Sequence, residues 1–125
     1  MFISIDEKDR RPIYLQVVDE IKALIARGEL KEGTPLPPVR QVAANLGVNL
    51  NTIATAYREL QEEGLISIKH GAGAIVTSSR ANNSDDNLHR PLKAALTQLV
   101  LAGLSSTEIL EIVAEELKQL FRGAK

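Results

Sequence analysis

Gly47 separates two short amphipathic stretches, and their spacing narrows the folds open to this 125-residue chain more than any other feature. Upstream, Val39, Val42, Ala43 and Leu46 fall on one helical face; downstream, Ile53, Ala56, Tyr57 and Leu60 do the same. Pro37 and Pro38 suit the start of the first helix, because proline in the opening position gives up no N–H that the helix needs. Gly47 supplies a tight turn, and Asn49 is a good N-cap for the second helix. That helix turns Leu50, Asn51, Thr52, Thr55 and Arg58 outward. Two short helices joined by a glycine turn, the second with small polar groups near its N-terminus, make a helix-turn-helix layout. An ordinary helical hairpin in a core fits the same pattern, so the flanking segments have to decide.

Glu62, Glu63 and Gly64 close the second helix. Leu65, Ile66 and Ile68 then alternate with Ser67 and Lys69 as a half-buried strand does, and Ala74 to Val76 return as its partner. Gly71, Ala72 and Gly73 form the tip, where glycine permits positive φ and close approach to a phosphate or a minor-groove wall. A hairpin directly after such a helix is a wing. The expected fold is mainly α with a small β-hairpin: a winged helix-turn-helix domain over residues 1–77, a linker at 78–87, and a C-terminal two-helix hairpin at 88–125.

Upstream of this region a first helix is expected from about Pro12 to Arg27. Tyr14, Val17, Val18, Ile21, Leu24 and Ile25 form its buried stripe, and Gly28 stops it. The first ten residues read as extended or loosely strand-like, with Phe2, Ile3 and Ile5 covering an apolar patch; GELKEGTPLP reads as a loop. Downstream, SSRANNSDDN is polar and non-periodic, hence a linker. Two helices follow, at Leu88 to Ala102 and Thr107 to Arg122, with Pro91 in the opening turn of the first. Ser105 and Glu108 make a capping box for the second.

Leu88, Leu92, Ala95, Leu96, Leu99 and Val100 line one face of the first C-terminal helix; Ile109, Leu110, Val113, Leu117, Leu120 and Phe121 line the second. A helical hairpin of about 40 residues seldom holds a core alone. It must fold back on the rest of the chain or meet a second copy. The polar linker and the two-fold pairing usual for readers of this kind favour the second copy, so a homodimer is expected.

Composition sets the outer limits. There is no cysteine, so no disulfide, thiolate metal site or cysteine nucleophile is available. His70 and His89 lack ligand-like spacing, and both are expected on the surface without a metal or cofactor. No apolar run approaches the ~18 residues needed to span a bilayer. The start, MFISIDEKDRR, is charged too early for a signal peptide, so a soluble cytoplasmic protein is expected. No nucleophile–base pair, phosphate-binding glycine loop or paired-carboxylate pocket emerges, which argues against an enzyme; Asp85-Asp86 reads as solvated linker. Lys and Arg total 15 against 16 Asp and Glu, an unusually even balance for a protein held by phosphates. Segregation would resolve this: Glu59, Glu62 and Glu63 lie towards the far end of the third helix. Lys31, Arg40, Arg58, Lys69, His70 and Arg80 lie on elements expected to face a duplex.

The run PIYLQVVDEIKALIARGELKEGTPLP, then VRQVAANLGVNLNTIATAYRELQEEGLI, then KHGAGAIV resembles the DNA-binding domain of the GntR family of bacterial transcription regulators. The resemblance covers about Pro12 to Val76 without a gap. LPPVR with LGVNLNTI and AYREL is most similar to the YtrA-type branch, which carries a short two-helix tail in place of a ligand-binding domain. The resemblance implies a dimeric DNA-binding regulator, a repressor of an inverted-repeat operator. Arg40 matches the arginine of the family's LPSxR motif, and the resemblance implies that it grips the DNA backbone.

The chain departs from the family pattern in four places. Pro38 stands where serine is usual, and Ala54 where many relatives place arginine. Ala72 replaces a basic wing-tip residue, and Ala74-Ile75 an expected Thr-Phe or Thr-Tyr pair. Wing contacts would then come mostly from backbone at Gly71, Ala72 and Gly73, with Lys69 and His70.

By helix-turn-helix geometry, Asn49, Leu50, Asn51, Thr52 and Thr55 should enter the major groove of double-stranded DNA. Asn51 can pair with adenine, Thr52 can bond a base edge or phosphate, and Leu50 can touch a thymine methyl. Plainer readings compete at three positions: Asn49 as a cap alone, Thr55 as a back-bonding helix residue and Arg40 as a salt-bridge partner. Tyr14 and Tyr57 are expected in the core. The competing function is a winged-helix protein-interaction module with little DNA affinity, which even charge and a depleted wing would allow. No effector can be named: 38 residues after the linker cannot enclose a typical pocket of ~300 Å³ within one chain, although a dimer could form a cleft between its hairpins.

Overall fold

A computed structural model describes residues 3–69, 73–80 and 85–122, with only the backbone described at 85–87. It comprises two compact units, Met1–Ala81 and Asn82–Lys125. The first contains α1 (Ile13–Ala26), β1 (Pro35–Leu36), α2 (Val39–Leu46), α3 (Leu50–Glu62), β2 (Ile66–Lys69) and β3 (Gly73–Val76). The second contains α4 (Asp85–Leu101) and α5 (Ser106–Leu120).

The helical stripe of α1 is the largest contributor to the first core. Val17, Val18, Ile21, Leu24 and Ile25 are buried, and Tyr14 is partly buried against them. Ile53, Ala56, Tyr57 and Leu60 of α3 pack into the same cluster with Val42 and Ala43 of α2. These are the residues expected from helical spacing. Between α2 and α3, Gly47 takes φ +69°. That left-handed conformation lets the Val48 N–H return to the Ala43 carbonyl at 3.0 Å, a bond that stops α2 after eight residues.

The hairpin is part of a three-stranded antiparallel sheet, in the order β1-β3-β2. GELKEGTPLP is therefore not all loop: Pro35 pairs with Ile75 and Leu36 with Ala74. Proline is tolerated because β1 is an edge strand, where few N–H groups are required. The pairing continues upstream, with Gly33 N–H on the Val76 carbonyl at 2.8 Å and Val76 N–H on Thr34 at 2.9 Å. Ile68 departs from the expected alternation, being 38 % exposed. Its strand is the other edge, and beyond Ile66 its face opens onto a groove instead of the core.

The N-terminal segment forms no strand among the described residues. Ile3 packs on the core as expected, Ile5 is half-buried, and Phe2 lies outside the described residues. Buried Gln16 ties the segment down. Its Oε1 accepts the Asp6 N–H at 3.1 Å, and its Nε2 donates to the Arg11 carbonyl at 3.4 Å. Arg11 pairs with Asp9 and with Asp19, and holds the Asp9 carboxyl below its usual range.

In the second unit, α4 begins at Asp85, so the expected linker at 78–87 overruns the helix start. Acidic residue types are favoured in a first helical turn, where they meet the positive end of the dipole, and two aspartates there read deceptively as linker. Pro91 consequently stands inside α4 and not in its opening turn, leaving the carbonyl four residues earlier without its helical donor. The capping box of α5 is present: Ser105 Oγ accepts the Glu108 N–H at 3.1 Å, and Glu108 Oε1 accepts the Ser105 N–H at 2.8 Å. Among the described residues, no helix is long and apolar enough to cross a membrane.

Candidate nucleic-acid interface

Asn49 caps α3. Its Oδ1 accepts the Asn51 N–H at 2.7 Å, satisfying one donor of the helix's first turn. Its Oδ1 thus serves the helix, as the capping reading expects. Leu50 and Asn51 are exposed in that turn, and Thr52 is half-buried. One turn on, half-buried Thr55 accepts a hydrogen bond from Arg58 Nη2 at 3.2 Å. Thr55 does not bond back into its own helix; it steadies an exposed guanidinium. The outward row Leu50, Asn51, Arg58 stands as the sequence predicts, with Thr52 and Thr55 at its margin.

Arg40 is exposed in the first turn of α2, which carries no acidic residue there and no side-chain cap. It forms no ion pair among the described residues. Arg40 and Lys69 border a groove of about 330 Å³ whose apolar wall is Pro38, Val39, Tyr57 and Ile68. Gly73 completes it, so the wing and the start of α2 meet across this groove. His70, Gly71 and Ala72, the expected wing tip, lie outside the described residues. Gly73 has φ +78°, as a glycine-bearing turn requires, but its close neighbour is the chain itself. An added Cβ would meet the Leu36 carbonyl at 3.1 Å.

Charge is segregated along the chain. Residues 1–81 hold ten Lys and Arg against ten Asp and Glu, yet no acid occurs between Glu32 and Glu59, or between Glu63 and Asp85. The two helices up to Arg58, and the whole wing, are therefore without carboxylates. At the other end of α3, Glu63 pairs with Lys22 of α1 at 2.8 Å. The even total hides a cationic stretch up to Arg58 and an acidic far end of α3.

Sequence reasoning passed over Gln61, whose Oε1 accepts the Ile68 N–H at 2.8 Å and so anchors β2 to α3. Nothing in periodicity marks it, since an exposed glutamine near a helix end looks like any solvated residue.

The profile of the bacterial regulatory proteins of the gntR family matches residues 13–76, which span α1 through the last strand of the wing. This chain belongs to the GntR family. It is accordingly a DNA-binding transcriptional regulator. Over 98 % of its length it is 31 % identical to the HTH-type transcriptional repressor YtrA of Bacillus subtilis, covering 95 % of that protein. A structure of a transcriptional antiterminator from Listeria monocytogenes shares 30 % identity, with 98 % and 95 % of the two chains covered and a TM-score of 0.83. YtrA from Sulfolobus acidocaldarius, a GntR-family transcription factor, shares 37 % identity over 78 % of this chain and 99 % of its own, with a TM-score of 0.62. This GntR-family chain is thus YtrA-like along nearly its whole length, including the helical hairpin.

Within its own unit the hairpin buries only part of its apolar surface. Ile109 is buried and Leu96, Leu99, Val113 and Leu120 are partly buried; Leu88, Leu92, Leu117 and Phe121 are exposed, with Val100 and Leu101 beside them. His89, Leu92, Lys93, Leu96, Thr97, Val100 and Leu101 line a groove of about 390 Å³. All seven come from α4, so this is an open face of one helix.

Proposed function

We propose that this protein is a sequence-specific repressor that binds an inverted-repeat operator as a homodimer. The observation that carries the reading is the acid-free stretch formed by α2, α3 as far as Arg58, and the wing, with Leu50, Asn51, Arg58, Arg40 and Lys69 exposed on it. Asn51, with its side chain uncommitted among the described residues, reads a base edge in the major groove. Leu50 touches a thymine methyl, Thr52 bonds a base or phosphate, and Thr55 acts through Arg58. Asn49 positions Asn51 by capping. Arg40 and Lys69 hold phosphates, the first from α2 and the second from the wing, with Gly73 beside the backbone.

Residues 1–77 form the DNA-binding domain, and the dimerisation hairpin begins with α4 at Asp85. The exposed Leu88, Leu92, Leu117 and Phe121 of the hairpin meet the same face of a second chain, with half-buried Leu96, Leu99, Val113 and Leu120 beneath them and Ile109 in the hairpin's own interior. An apolar face of this extent on a helical pair has too little core of its own, and burial against a copy stabilises it by about 25 cal/mol per Å² removed from water. The resemblance to a protein named as a repressor supports the direction of regulation.

Selecting bound sequences from a random pool of duplexes tests the reading. An inverted repeat with half-sites about one helical turn apart is expected. A single half-site, or no enrichment, would overturn it. The even charge of residues 1–81 favours a second reading, a winged protein-interaction module. Affinity that does not fall as salt rises would select that module, since phosphate contacts release counterions.

A further inference from the structure

Tyr57 is a core residue by exposure, at 1 %, yet its hydroxyl reaches out of its own helix to donate to the Pro37 carbonyl at 2.6 Å. Pro37 immediately precedes the N-cap of α2, and Arg40 stands in the first turn of that helix. Residues Pro35–Pro38 include three prolines, so Leu36 supplies the segment's sole N–H. Such a stretch is rich in acceptors and poor in donors. Leu36 is paired with Ala74, and the Pro38 carbonyl accepts the Gln41 and Val42 N–H groups; the Pro37 carbonyl between them takes its donor from another element. Tyr57 provides it from α3. On the other side of the same turn, Gly73 packs so closely that a Cβ would meet the Leu36 carbonyl at 3.1 Å and the Pro38 nitrogen at 3.8 Å. The recognition helix, the start of α2 and the wing therefore converge on four residues, beside the groove that Arg40, Tyr57 and Lys69 share.

We propose that Tyr57 is a positioning residue for DNA binding: through the Pro37 carbonyl its hydroxyl sets where Arg40 stands relative to the reading end of α3. The proposal rests on Arg40 as a phosphate contact. Loss of the hydroxyl frees the Pro37–Pro38 turn, and Arg40 then samples positions from which it no longer meets its phosphate.

A double-mutant cycle tests this on the full-length protein, using a mixed-sequence duplex of about 30 base pairs, because a phosphate contact needs no particular sequence. Tyr57→Phe keeps the ring and removes the donor. It is expected to weaken binding about fivefold, the size of one net hydrogen bond, while the melting transition stays cooperative. Arg40→Ala is expected to weaken binding about tenfold, and the double variant no more than about tenfold, since the hydroxyl acts through Arg40. Tyr57→Phe should also reduce the slope of log affinity against log salt by part of the ~0.9 belonging to one phosphate. Additive losses, near fiftyfold in the double variant, would overturn the proposal while leaving Arg40 as a contact. Unchanged binding by Arg40→Ala would overturn both, and would do so whatever Tyr57→Phe does. A Tyr57→Phe protein unfolded at the assay temperature would also overturn it, because the hydroxyl would then serve folding and not placement.

Discussion

Asn49 Oδ1 accepts the backbone N–H of Asn51 at 2.7 Å, so two asparagines in one helical turn divide between holding the helix and facing solvent. The first cannot offer its Oδ1 freely to a bidentate adenine contact while it caps the helix. The second pays nothing to the fold for its side chain.

The division predicts opposite phenotypes. Asn49→Ala should lower stability by about 1 kcal/mol, with base preference intact, as read by thermal or denaturant unfolding and by binding to variant half-sites. Asn51→Ala should leave stability nearly unchanged and relax preference at one position per half-site by about 1–3 kcal/mol. An Asn51→Ala protein with the original preference would return this residue to ordinary helix surface.

Gly47→Ala isolates a backbone effect. Nothing lies within 4 Å of the added Cβ, so no clash contributes, yet φ is +69°. The substitution should destabilise the first unit by about 1–2 kcal/mol, the typical penalty for a left-handed L-residue. Denaturant titration would show it as a lower midpoint with an unchanged slope.

The hairpin face is testable without truncation. Leu92 is 53 % exposed and Leu101 77 % exposed within one chain, so glutamate at either site leaves the chain's own packing largely intact. In a dimer each would bury a carboxylate. Leu92→Glu and Leu101→Glu should therefore sediment as monomers and bind a full operator about a hundredfold more weakly, the scale of lost avidity. Equal affinity of variant and wild type on the same operator would remove dimerisation from the mechanism.

Burial pushes the Tyr57 hydroxyl from its ordinary value of 10 to about 12. The folded state favours the neutral phenol, so this contribution to stability is complete below pH 10 and is lost as pH rises towards 12. Tyr57→Phe lacks it. Unfolding measured from pH 8 to 12 should show wild-type stability falling more steeply than that of the variant, with the two curves converging at the alkaline end. Parallel curves would mean that the phenol is not the titrating group.

Periodicity alone placed α1, α2, α3 and α5 to within a residue or two, because each presents an apolar stripe that local spacing reveals: Val17, Ile21 and Leu24, or Ile53, Ala56, Tyr57 and Leu60. The caps at Asn49 and Ser105 and the turn at Gly47 were legible for the same reason, since each is satisfied by a partner within four residues. The start of α4 was not. Its polar first turn has no periodicity, and Pro91 invited a later start.

What tertiary structure decided lies farther apart in the chain. Leu36 finds Ala74, Tyr57 finds Pro37 and Gln61 finds the Ile68 N–H only after the helices have packed. Such partners leave no local signature, because a proline-rich loop and an edge strand read alike until a second strand arrives. Residue types along α2, α3 and the wing determined which groups are available to meet DNA. Long-range hydrogen bonds decided where those groups stand, since placement depends on closing loops between segments whose separation no short window of sequence encodes.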